Sequence, residues 1–101
     1  MRRILATLAV VGALLFSAGS AWADWDDGVA AYERGDYVTA LREWRPLAEQ
    51  GNAEAQTDLA MLYFYGEGVA VNYFKSMKWW RKAAGLGHEG AKVRVNRLEA
   101  K

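Results

Sequence analysis

A shift of 36 positions lays the second half of this chain over the first. It brings Trp44 onto Trp80, Ala48 onto Ala84, Gly51 onto Gly87 and Ala55 onto Ala91, and it pairs Tyr37 with Tyr73 and Asp36 with Asn72. Further upstream the offset falls to 31, where Tyr32-Glu33-Arg34-Gly35 meets Tyr63-Phe64-Tyr65-Gly66, because Glu67 to Val71 form a five-residue insertion in the second copy. Self-similarity with a period in the mid-thirties is a strong constraint. It calls for a unit of two short helices that buries its apolar face by stacking on its own copy.

Apolar spacing within each half repeat agrees. Trp25, Gly28, Val29 and Tyr32 share one face of a first helix, and Tyr37, Ala40, Leu41, Trp44 and Ala48 form the stripe of a second. Ala55, Leu59, Leu62 and Tyr63 do the same for a third helix, Tyr73, Met77, Trp80 and Ala84 for a fourth, and Ala91, Val95 and Leu98 for a fifth. Steps of three and four place these groups on one side of a helix, and no stretch alternates as a strand would. Gly35, Gly51, Gly66 and Gly87 stand where helices end, and Asp36, Asn52 and Asn72 stand where side-chain oxygens can cap the next start. Asp24, Asp26 and Asp27 put negative charge at the first helix start, where the helix dipole favours it. Pro46 interrupts the second helix and predicts a kink or an early break near Arg45.

The chain opens differently. Arg2 and Arg3 precede an apolar run from Ile4 to Phe16, and small residues lead to Ala21-Trp22-Ala23 ahead of Asp24. A basic start, a short apolar segment and a small-x-small exit read as a signal peptide over residues 1–23, cleaved after Ala23. The run is shorter than the ~20 residues that span a bilayer core. The expectation is an exported, soluble protein, periplasmic or extracellular, with at most peripheral membrane contact. With no cysteine in the chain, neither lipid attachment at the cleavage site nor a disulfide is available. Loss of Arg2 and Arg3 turns the formal charge of +1 slightly negative, which does not suit a nucleic-acid binder.

The third and fourth helices with their connection resemble the Sel-one-like repeat, a relative of the tetratricopeptide repeat. The resemblance is carried by Ala55, Leu59, Tyr63, Gly66, Gly68, Val69, Asn72, Lys75, Trp79, Lys82, Ala83, Ala84 and Gly87. It places one repeat at about 53–88, a divergent copy at about 24–52 and a capping helix at about 89–101. It implies an all-α fold of antiparallel hairpins stacked as a short right-handed solenoid, and an adaptor or scaffold role toward protein partners. In the connection, Gly66 and Gly68 permit positive backbone torsions and Val69 can turn inward to plug the end of the hairpin. Three positions depart from the family's pattern: Ala60 replaces a glycine, which loosens helix approach; Asn72 replaces an aspartate but still caps; Ser76 replaces an alanine, which is tolerable.

Catalytic chemistry is thin. Behind the leader there is one serine, Ser76, and one histidine, His88, too far apart along the fourth helix to pair. No ligand cluster calls for a metal, and nothing calls for a cofactor. Some disulfide-rich relatives of the repeat are linked to penicillin binding or hydrolysis, but the missing cysteines make that a remote alternative. The first reading is a non-enzymatic adaptor that recognises a protein or peptide. Another is an envelope factor that touches cell-wall glycan with its aromatics. Phe64, Phe74 and Trp79 fall off or at the margin of the helix stripes and are candidate partner contacts, and Lys75, Lys78, Arg81 and Lys82 form a candidate basic face. About two and a half repeats fall short of the roughly three that such stacks need, which leaves the first hairpin to dock on a partner or a second copy.

Overall fold

A computed structural model describes residues 23–100. The signal peptide expected over 1–23 lies outside these residues except for Ala23. Within them the chain is all-helical: α1 (Trp25–Glu33), α2 (Tyr37–Glu49), α3 (Ala53–Tyr65), α4 (Tyr73–Gly85) and α5 (Glu89–Glu99). Each helix packs chiefly on its neighbour in sequence, giving two antiparallel hairpins and a fifth helix laid against the second.

Local chemistry starts and stops these helices as expected. Asp24 accepts from Asp26 and Asp27, Asp36 from Thr39, Asn52 from Ala55 and Asn72 from Lys75, each through backbone N–H groups that the first helical turn leaves unpaired. The ends of α2 and α4 are near copies. Gly51 and Gly87 take φ of 98° and 95°, and Asn52 and His88 donate back to Leu47 and Ala83 carbonyls at 3.0 Å. Pro46 does not break α2, which runs through it to Glu49. It lies in the last turn, so only one backbone bond is forgone, and its own carbonyl still receives the N–H of Gln50 at 3.1 Å.

Trp44 and Trp80 anchor the two hairpins in equivalent ways. Both are fully buried, and their indole Nε1 groups donate to the carbonyls of Trp25 and Thr57, each at 3.1 Å. Above Trp44 the backbone of α1 comes so close that a Cβ on Gly28 would lie 2.2 Å from the indole nitrogen. Tyr32 sits 5.9 Å from Trp44 and 5.0 Å from Tyr37, and Phe64 repeats this at 5.4 Å from Trp80 and 5.2 Å from Tyr73. The structural counterpart of Tyr32 in the second hairpin is therefore Phe64, 32 positions on, although the turn glycines keep the offset of 31. Tyr63, the match by sequence, turns to the first hairpin, where Arg45 donates to its hydroxyl at 2.9 Å.

This divided use of α3 organises the core. Ala55, Leu59, Leu62 and Tyr63 join Ala31, Ala40, Trp44 and Ala48 in one cluster, while Ala60 joins Trp80, Ala83 and Ala91 in another, with Phe64 and Met61 alongside. A helix apolar on both sides is a buried middle element. On α4 the buried face is rotated from the expected stripe: Ser76, Trp80 and Ala83 are innermost, Met77 and Ala84 are marginal, and Tyr73 is 61% exposed. Ser76 can take an inner position because its hydroxyl donates to the Ala60 carbonyl at 2.8 Å, and its small volume lets α3 and α4 approach.

The five-residue insertion is not slack. Tyr32 donates its hydroxyl to the Glu67 carboxylate at 3.0 Å, Gly68 lies against the backbone of Tyr37, and Val69 packs into the first cluster. Burial, and then the bond to Glu67, push the Tyr32 hydroxyl pKa up to about 12. The connection of the second hairpin thereby clamps the first.

Candidate interaction surface

The odd-numbered helices lie side by side, and their facing side chains form a polar row. Trp25 on α1 donates through Nε1 to Asp58 Oδ2 on α3 at 2.7 Å. Burial raises the Asp58 carboxyl to about 6; the bond from Trp25 works against this, Glu54 adds to it, and His88 and Arg94 oppose it. His88 caps α5, its Nδ1 accepting the Ala91 N–H at 3.1 Å, so the ring proton sits on Nε2 and is directed at the Glu54 carboxylate. Arg94, from α5, lays its guanidinium over the Trp80 ring, 5.3 Å from its centroid.

Beyond this row a groove opens between the C-terminal halves of α3 and α5. One part, about 210 Å³, is lined by Phe64, Tyr65, Trp80, Arg94, Arg97 and Leu98. It shares Phe64 and Leu98 with a second part of about 480 Å³ that Tyr73 and Met77 complete. The ring of Phe64 meets Tyr65 edge-on at 5.1 Å, so the wall is a cluster of three aromatic rings, two of them exposed.

The three aromatic candidates part company. Phe64 is half-buried as a wall of this groove, and Phe74, on the outside of α4, is 81% exposed. Trp79 packs against both core clusters, and the ammonium groups of Lys82 and Lys78 lie over its ring at 5.1 and 5.7 Å. The basic face is exposed but largely engaged: Lys75 sits over Tyr63 at 5.2 Å, and Arg81 is ion-paired with Glu99. The outward side of α1 shows Asp26, Asp27, Ala30 and Glu33, a polar surface. Sequence reasoning passed over Tyr65, Arg94 and Arg97 as contacts, and it placed Leu98 on the apolar stripe of the fifth helix, whereas the structure leaves it exposed at the groove. One signal was present: Asp58 and Arg94 are 36 residues apart, so the repeat shift applied to charged positions brings them to equivalent places on adjacent helices.

Ser76, the sole serine of the described residues, is fully buried with its hydroxyl committed to a backbone carbonyl. Among the described residues no group of His, Cys, Asp and Glu side chains could hold a metal ion, and no helix is long and apolar enough to cross a membrane.

Stacked antiparallel hairpins with an exposed groove define a helical-repeat protein. Residues 53–88, comprising α3, the clamp loop and α4 up to the cap of α5, match the family model of the Sel1 repeat, a repeat family generally associated with protein–protein interaction. The chain is also 36% identical over 62 residues to an exopolysaccharide production negative regulator of Rhizobium meliloti (strain 1021). That alignment covers 61% of this chain and 23% of the relative, so the chain spans about a quarter of that protein's length. No solved structure matches.

Proposed function

We propose that this chain is an exported, non-catalytic adaptor that binds a protein partner through the groove between α3 and α5. The observation that carries the reading is the joining of a Sel1 repeat to an open groove whose walls are aromatic and apolar. A repeat stack buries its own core by neighbour contacts and leaves one continuous surface for recognition. Export is supported by the basic start, short apolar run and Ala21-Trp22-Ala23 exit of the first 23 residues. The commitment of the Ser76 hydroxyl and the pairing of His88 with Glu54 support a role without chemistry. The relative's regulatory name fits an adaptor that acts within a complex, though the match covers only 23% of that protein.

Two measurements test this. An alkaline phosphatase fusion after Lys101 gains activity in a bacterial host only if the chain leaves the cytoplasm, and deletion of residues 2–16 abolishes that activity. Photo-crosslinking from position 65 traps a protein in the groove, whereas crosslinking from Glu33, on the polar outer side of α1, traps none. An inactive fusion, or equal trapping from both positions, overturns the reading.

A further inference from the structure

We propose that the partner segment seated in this groove is acidic and carries a bulky apolar side chain, which packs between Phe64, Tyr73, Met77 and Leu98 while its carboxylates meet Arg94 and Arg97. The inference rests on the adaptor reading and names its partner's chemistry.

Elsewhere on the surface, Arg81 is paired with Glu99, Arg34 with Asp36 and Lys92 with Glu89, Arg42 and Arg45 donate to the hydroxyls of Thr39 and Tyr63, and Lys75, Lys78 and Lys82 lie over the rings of Tyr63 and Trp79. Among the described residues neither Arg94 nor Arg97 has an ion-pair partner, and both line the groove. Arg94 lies over the Trp80 ring, a contact that restrains its fork of donors and lowers the entropy lost on binding. Guanidinium groups bind carboxylates through paired, charge-assisted hydrogen bonds, and they do so best beside low-dielectric walls. Asp58 draws on Arg94 from the α3 side without forming an ion pair with it.

The remaining walls select against a glycan. A sugar ring needs hydrogen-bond partners for several hydroxyls, and this groove offers, besides the two arginines, only the hydroxyls of Tyr65 and Tyr73 among thioether, aliphatic and aromatic surfaces. Leu98, 39% exposed, and the half-exposed Tyr65 are apolar surface that a peptide side chain would take out of water.

The test uses three fluorescein-labelled twelve-residue peptides. They share one phenylalanine and two leucines, and their remaining positions are all Asp and Glu, all Ser and Gln, or all Lys. Fluorescence anisotropy with the purified chain gives the acidic peptide an affinity at least about tenfold above the neutral one, and none measurable for the basic one. Arg97→Gln, at an exposed position, lowers the acidic affinity about tenfold, and adding Arg94→Gln removes the difference between acidic and neutral peptides. Leu98→Ser weakens both, and Lys78→Gln with Lys82→Gln changes neither. Equal affinity for acidic and neutral peptides overturns the proposal, as does arginine-independent binding. Tighter, arginine-dependent binding of polygalacturonate overturns it in favour of an acidic glycan. A partner that still crosslinks from position 65 in the Arg94→Gln, Arg97→Gln protein defeats this inference and leaves the adaptor reading standing; loss of all crosslinking in the unmodified chain defeats both.

Discussion

On folding, Asp58 leaves water for a site between Trp25, Glu54, His88 and Arg94, and its carboxyl rises from 3.8 to about 6. A carboxyl that binds its proton more tightly in the folded chain favours folding at low pH. That contribution is fully present below about pH 4 and is lost as pH climbs through 6. Water still reaches this half-buried group, which keeps the loss to about 1–2 kcal/mol. Asp58→Asn keeps an acceptor for the Trp25 indole and carries no charge. It therefore flattens the decline in Tm between pH 4 and pH 7.5 and raises Tm at pH 7.5 by roughly 4–8 °C. Thermal melts followed by circular dichroism across that range check this, and an Asn variant that melts below the parent at pH 7.5 would show that the charged form is the stabilising one. Asp58 also marks what sequence reading left out. The helix caps Asp36, Asn52 and Asn72 were legible because a cap is decided within four residues. The Asp58 site joins three helices, and a search for apolar stripes passes over it.

At the level of elements, the five helices and their glycine stops were legible, and the inner face of α4 was not. Spacing placed Tyr73 in the core, and the hydrogen bond from Ser76 to Ala60 rotated the helix so that a polar side chain took the deeper position. The same limit applies to the match of Tyr32 with Tyr63. Residue identity aligned them, but Phe64 does the equivalent packing because Tyr63 serves the first hairpin. Likewise the candidate groove depends on the placement of α5 across α3, which no local pattern encodes. The insertion loop, in contrast, was read in part: its two glycines and the inward turn of Val69 are present. What the loop adds is a clamp. Gly68 has φ of 76°, and a Cβ there would meet the Tyr37 carbonyl carbon and oxygen at 2.9 Å, atoms that belong to the start of α2 and cannot rotate aside. Gly35 has a similar φ of 81° with open space around it. Gly35→Ala pays only the left-handed backbone cost of about 1 kcal/mol, and Gly68→Ala adds a clash with backbone for a total of about 2–4 kcal/mol. Urea unfolding of the two variants measures the difference, and equal midpoints would show that the loop is free to lift from α2.

For the molecule as a whole, the question is whether the two hairpins open separately. Repeat stacks behave as nearest-neighbour systems, and their cooperativity depends on the interfaces between units. Here α3 contributes Leu59 and Leu62 to the first cluster and Ala60 to the second, Trp79 touches both, and the clamp loop ties Glu67 to Tyr32. Opening the first hairpin alone would leave the Leu59, Leu62 and Tyr63 face of α3 in water. Opening the end around α5 would uncover Ala60, Trp80 and Ala83. Either partial state exposes a contiguous apolar face while most of the ordered backbone still bears its entropy cost, so neither is a stable stopping point. A cavity made on one side must then be felt on the other. Leu59→Ala, at a fully buried position, costs about 2–5 kcal/mol. If α3 couples the clusters, hydrogen exchange in that variant speeds up by the same factor at the core amides of α1, α2 and α4, although α4 packs on the opposite face of α3. Acceleration confined to α1 and α2, with α4 retaining its protection, would mean that the second hairpin folds on its own and that the first is an appendage to it.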